Sequence, residues 1–116
     1  MSAIIRPLET PQDAERILEL SRQELVVVYK HSPICSISET ALEEMGAFAN
    51  EAKDTLNVFM VDVLSARPAS QHLEALTGVR HESPQVLVLV DGAAVWNASH
   101  RRVRAADLQA QVRSLS

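Results

Sequence analysis

The chain has a single cysteine, Cys35, among its 116 residues, so an internal disulfide is excluded. It has no excess of positive charge either. Eleven Lys and Arg against 15 Asp and Glu leave a net charge of -4, the wrong sign for the footprint of a nucleic-acid partner. No apolar run approaches the ~20 residues that cross a bilayer as a helix, and the N-terminus lacks the basic, apolar, small-residue order of a secretory signal. A reducing, cytoplasmic setting is therefore expected, where a cysteine serves chemistry more often than structure. One cysteine and four scattered histidines show no metal-ligand spacing. No repeat, linker or low-complexity segment divides the chain, so a single domain over residues 1–116 is expected, long enough to bury a core without staples. Its 47% hydrophobic and 22% charged residues fit a globular protein.

What is present concentrates around Cys35. Leu25-Val26-Val27-Val28 is a short, β-branched apolar run that reads as a buried strand. Downstream, Ala41, Leu42, Met45, Phe48, Ala49 and Ala52 recur at three- and four-residue steps, the stripe of an amphipathic helix ending near Asp54. Cys35 is thus expected between a strand end and a helix start. Unpaired N–H groups and the helix dipole there favour a thiolate, lowering the pKa from ~8.5 to about 3.5–7.5. A lone cysteine is more often a small buried hydrophobe than a nucleophile. The polar and turn-forming neighbours Ser32, Pro33, Ser36 and Ser38 favour the lip of a loop over a core.

The flanking elements follow from local signals. Met1–Glu9 reads as a short strand or extended arm that turns at Pro7. Thr10 as N-cap, Pro11 at the first helical position and Asp13 in the first turn open a helix to about Gln23, with Ala14, Ile17, Leu18 and Ser21 inward. Asn57–Val63 is a second buried strand. Arg67-Pro68 opens a helix with Leu73 and Leu76 inward, stopped by Gly78. Two strands apolar on both faces and joined by a helix imply parallel pairing through a right-handed crossover. Gln85–Val90 and Ala93–Ala98 flank Asp91-Gly92, a hairpin signal. Ala105–Leu115 closes the chain as a helix with Ala105, Leu108 and Val112 inward.

The order helix, strand, helix, strand, helix, strand, strand, helix, with a cysteine after the first main strand and a proline opening the third, resembles the thioredoxin fold. The resemblance implies an α/β architecture with a central mixed four-stranded sheet flanked by helices and an extra N-terminal helix. Cys35-Ser36-Ile37-Ser38 stands where thioredoxins have Cys-x-x-Cys, with Ser38 in place of the resolving cysteine. Ser83-Pro84 stands where that family has its cis-proline. More closely, Lys30-His31-Ser32, Ser36-Ile37-Ser38 and His81-Glu82-Ser83-Pro84-Gln85 together resemble the monothiol bacilliredoxins of the bacillithiol system, over roughly Leu25 to Leu115. That family usually reads Thr-Cys-Pro-Ile-Ser, whereas Ile34 and Ser36 hold the threonine and proline positions here.

The resemblance implies thiol-disulfide exchange, with Cys35 as the nucleophile that takes bacillithiol or another low-molecular-weight thiol off S-thiolated client proteins. That thiol would be a co-substrate; no bound cofactor, metal, nucleic acid or membrane is implied. With one cysteine, each exchange leaves an adduct that another thiol or a reductase must clear. Ser38 and His31 are candidate supports of the thiolate. Ser38 shares a helical face with Cys35 but serves equally as a cap; His31, with an unperturbed pKa near ~6.5, is either a partial charge or simply solvated. Ser32, Ser36, Ser83 and Pro84 are the candidate substrate contacts. His81 is expected in the loop facing the sulfur, while His72 and His100 have no assigned role. Tyr29 occupies the strand position where many thioredoxins bury a proton-managing carboxylate, and no acid lies between Leu25 and Tyr29, so such a relay is not expected. Two other functions compete. Monothiol glutaredoxins also use Cys-x-x-Ser and hold an iron–sulfur cluster, but carry a paired glycine, whereas the three glycines here are isolated. A redox-inert thioredoxin-like module would bind partners through the same groove without an exposed reactive thiol.

Overall fold

In the computed structural model, which describes residues 2–115, the elements run β1 (Ile5–Pro7), α1 (Pro11–Leu20), β2 (Val26–His31), α2 (Ser36–Glu51), β3 (Asn57–Asp62), α3 (Arg67–Thr77), β4 (Gln85–Val90), β5 (Ala93–Ser99), a 3-10 turn (His100–Arg102) and α4 (Ala105–Leu115). The strands form one sheet in the order β1-β3-β2-β4-β5. β1, β3 and β2 are parallel, and β4 and β5 run against them as a hairpin. β2 lies at the centre with Val26 to Lys30 all buried, as its unbroken apolar run requires of a strand covered on both faces.

The expected sheet of four strands has five. Ile5–Pro7 pairs in parallel with Val58–Met60, and three residues are too few to carry an alternation signal of their own. Pro7, which lacks a donor, is accommodated because β1 is an edge. Met1, where the expected arm begins, lies outside the described residues. β2 also runs three residues past Val28. Tyr29, Lys30 and His31 keep partners on β3, and β4 pairs as far as Lys30, so ladders on both sides override the loss of apolarity. α2 ends at Glu51 rather than near Asp54, since Ala52 turns extended. α1 stops at Leu20, with turns over residues 21–23.

Local chemistry explains most boundaries. At the start of α1 the Thr10 hydroxyl accepts from Asp13 N–H at 3.0 Å and Asp13 Oδ2 accepts from Thr10 N–H at 3.1 Å, a reciprocal cap above Pro11. In the β4–β5 turn, Asp91 and Gly92 both have positive φ, 52° and 77°, the hand that a two-residue hairpin needs. α1 and α3 cover one face of the sheet around Ile17, Val28, Leu73, Leu87 and Leu89. α2 and α4 cover the other around Val27, Tyr29, Met45, Phe48, Val88 and Leu108. Leu18, Leu76, Ala105 and Val112 pack against these cores while only partly buried. Among the described residues no helix is long and apolar enough to cross a membrane.

This topology gathers one end of the sheet into a site. β2 and β3 are parallel and finish there. Gln85, at the start of β4, pairs with Lys30 and with Ser99 near the end of β5. The segments 32–35, 81–84 and 100–104 therefore emerge together at the carboxyl end of β2.

Candidate active site

Cys35 is the N-cap residue of α2, with extended backbone at φ -107° and ψ 125°, and is partly exposed. Its carbonyl accepts from the N–H groups of Ser38 and Glu39 at 3.1 and 3.3 Å, which sets the first helical turn directly behind the sulfur. The sulfur makes no capping hydrogen bond. The N–H groups of Ser38 and then Ile37 nevertheless hold the thiol below its ordinary pKa; partial burial opposes them and the Ser38 hydroxyl adds to them. This is the physical content of a helix start for a cysteine: orphan donors stabilise the charged form.

Ser38 is buried, and its hydroxyl accepts from Ser32 N–H at 3.3 Å. Ser32 is buried as well, and its carbonyl accepts from Cys35 N–H at 3.3 Å. The loop between β2 and α2 is thus laced to the helix at both serines, while Ser36 stays exposed at the first helical position. Beneath this loop lies Tyr29, fully buried, its phenolic oxygen 3.1 Å from the Ser38 carbonyl and 3.0 Å from Nδ1 of His31. A carbonyl only accepts, so the phenol proton goes to Ser38 and the Nδ1–H of His31 donates to Tyr29. Burial raises the Tyr29 pKa well above that of free tyrosine, the Ser38 contact partly offsetting it and the charge on Cys35 adding to the rise. The position that many thioredoxins give to a carboxylate thus holds a neutral hydroxyl.

On the far side of the cysteine the Ser83-Pro84 peptide bond is cis, with Pro84 buried and Ser83 partly exposed. Pro84 O accepts from His100 N–H at 2.8 Å, and the His100 side chain meets Glu82 at 3.5 Å. Candidate residues Cys35, Ser32, Ser36, Ser38, His31, Ser83 and Pro84 are all brought to this end of the sheet. His81 is not turned toward the sulfur. Its Nδ1 lies 3.2 Å from both the Ser70 hydroxyl and Lys30 Nζ, and its N–H donates to Glu74 at 2.6 Å. The reason is strand alternation: Lys30 points to the opposite face from Tyr29 and His31, toward α3, and His81 joins it there. His72 bridges to Glu15 on α1 at 2.9 Å, a helix-to-helix contact.

Two residues of this region were not singled out by the sequence: Tyr29 as a hydrogen-bonding centre and Lys30 as a buried cation. Lys30 is fully enclosed, and burial lowers its pKa to about 8 against a smaller opposing pull from Glu74. The signal was available, since continuing the period-two reading of β2 past Val28 places Tyr29 and His31 on the cysteine side and Lys30 under α3. Among the described residues no group of three His, Cys, Asp or Glu is placed to hold a metal ion.

Comparison with known proteins agrees with this geometry. The family model for "Monothiol bacilliredoxin BrxC" matches residues 6–108. A solved chain described as an inferred oxidoreductase with a thioredoxin fold is 30% identical, with 95% of this chain and 94% of that one covered and a TM-score of 0.83. Thioredoxin from Fasciola hepatica, 20% identical with 97% and 100% covered, has a TM-score of 0.75. That from Trypanosoma brucei brucei, 14% identical with 99% and 93% covered, has 0.77. The last two carry the fold alone. With one cysteine, a thioredoxin sheet and a family match over most of its length, the chain belongs to the monothiol bacilliredoxins and is a thiol-disulfide oxidoreductase.

Proposed function

We propose that this oxidoreductase removes a low-molecular-weight thiol, bacillithiol in the reading its family favours, from S-thiolated client proteins in a reducing cytoplasm, with Cys35 as nucleophile. The observation that carries the reading is the partly exposed sulfur at the start of α2, with its pKa held down by the N–H groups of Ser38 and Ile37. The Cys35 thiolate attacks the small thiol's sulfur in the mixed disulfide. A new Cys35 disulfide to the small thiol forms as the old S–S bond breaks, and the client leaves as a thiolate that takes a proton from water. Disulfide number is conserved, so no further oxidant is needed. The best attacker has a pKa near ambient pH, because nucleophilicity falls with basicity. A second small thiol, or a reductase, then attacks the adduct and frees Cys35.

Ser38 and His31 support the thiolate side. The backbone of Ser83, ahead of Pro84, offers its polar groups to a client segment in the manner of an added strand, and the hydroxyls of Ser32 and Ser36 border the same groove. Intact mass after incubation with oxidised bacillithiol, or with oxidised glutathione, tests the reading. One adduct per chain in the native protein and none in Cys35→Ser is expected, and an adduct with only one of the two names the thiol. Absence of any adduct on the native chain would overturn it.

A further inference from the structure

A cavity of about 280 Å³ opens beside the first turns of α2, lined there by Ser36, Ile37 and Thr40 and on its far wall by His100, Arg101 and Arg104. Ser36 directly follows Cys35, so one wall of the cavity is built from the residue next to the nucleophile in the chain. Its far wall is held in place: the His100 N–H is bonded to Pro84 O at 2.8 Å, and the Arg104 carbonyl accepts from Leu108 N–H at 3.0 Å as the start of α4. Val103 between them is buried.

The charge on this wall is out of keeping with the rest of the molecule. In a chain of net charge -4, the run Arg101-Arg102-Val103-Arg104 holds three guanidinium groups, of which Arg101 and Arg104 line this cavity and Arg102 borders a neighbouring one. Among the described residues none of the three pairs with a carboxylate, whereas Arg16 and Arg22 each do. The acid that lines the cavity, Glu44, is engaged: its Oε1 accepts from Ala105 N–H at 2.8 Å. Unpaired guanidinium groups around a cleft are suited to carboxylates, which their planar forks grip with two bonds. The volume lies at the lower edge of the ~300–1,000 Å³ of small-molecule sites, enough for a few-carbon acid and too small for a protein segment.

We propose that this cavity is the subsite for the small half of the substrate, binding the carboxylates of a low-molecular-weight thiol while its sulfur exchanges with Cys35. Arg101 and Arg104 are the specificity-determining residues, and selection is for anionic thiols over neutral or cationic ones. The proposal rests on the Cys35 exchange set out above.

Three small disulfides separate the possibilities: oxidised glutathione, which carries carboxylates, the neutral 2-hydroxyethyl disulfide and the cationic cystamine. Second-order rates of Cys35 thiolation are measured by intact mass for the native protein, Arg101→Gln/Arg104→Gln and Arg101→Lys/Arg104→Lys. The rate ratio of glutathione disulfide to 2-hydroxyethyl disulfide should fall about tenfold in the glutamine pair and by less in the lysine pair, which keeps the charge but loses the planar fork. The cystamine ratio should rise, and added salt should shrink the native preference. Ratios that are the same in native and glutamine proteins, with thiolation intact, would overturn the subsite and leave the exchange standing. No thiolation by any of the three would overturn the exchange reading and the subsite with it.

Discussion

Nδ1 of His31 lies 3.0 Å from the phenolic oxygen of Tyr29, and that single contact fixes which imidazole nitrogen carries the proton, because the phenol hydrogen is committed to the Ser38 carbonyl 3.1 Å away. Tyr29→Phe removes both bonds and leaves the Nδ1–H of His31 without its acceptor. A loss of about 1–3 kcal/mol is expected from the shift of the urea midpoint, together with loss of the Nδ1–H preference in the ¹⁵N spectrum of His31. An unchanged midpoint and tautomer would show that the hydroxyl bonds neither group.

The alkylation rate of Cys35 against pH should rise with a midpoint below the ordinary thiol value. Backbone N–H groups are the leading cause of the depression and the Ser38 hydroxyl a lesser one. Ser38→Ala should therefore move the midpoint upward only slightly. A return to the free-thiol value would mean that the hydroxyl, rather than the helix start, governs the sulfur. The linkage follows in sign: a folded pKa below the unfolded one adds stability above the unfolded pKa, lost as pH falls through the folded one.

Lys30 titrates in the other sense. Its folded pKa of about 8 lies below the ordinary lysine value of 10.5, so between those two values the unfolded chain binds more protons and stability rises with pH. Below about 8 both states are charged and the burial penalty is present in full. Lys30→Met should stabilise the fold at pH 7 by about 1–3 kcal/mol, and the advantage over the native chain should shrink by pH 10. Denaturation midpoints at the two pH values check this; a destabilised variant at pH 7 would mean that the bonds to Ser70 and His81 outweigh desolvation.

Thr10→Ala removes the side chain that caps α1 and should cost about 1 kcal/mol, read from the urea midpoint, with the Cys35 alkylation profile unaltered because the cap lies outside the site. A shifted profile would reveal coupling between α1 and the sulfur.

The strands, helices and hairpin were legible because each carries a local signature: Thr10-Pro11-Gln12-Asp13 for a helix start, Asp91-Gly92 for a turn, Gly78 at φ 71° for a helix stop. The position of Cys35 followed from the strand before it and the helix after it. What escaped depends on partners distant in sequence. The short strand expected in Met1–Glu9 is present as β1, but its place in the sheet was missed, because it rests on the edge that β3 offers, and β2 reaches His31 because neighbours continue its ladder. His81 turned away from the sulfur because Lys30, 51 residues earlier, sits against α3. The arginine-lined cavity was equally hidden, since Ser36 and Arg104 become neighbours only when α2 and α4 pack on the same face.

Ser38 has no exposed surface, and its oxygen is the acceptor that satisfies the buried N–H of Ser32. A cysteine at that position would set a larger atom and a weaker acceptor where the loop needs a compact oxygen. A cysteine at residue 38 would therefore cost the loop its anchor at residue 32, so a dithiol site here calls for a second change that re-anchors it. The packing beneath the loop thus disfavours a second thiol at residue 38 independently of the sequence's lack of one.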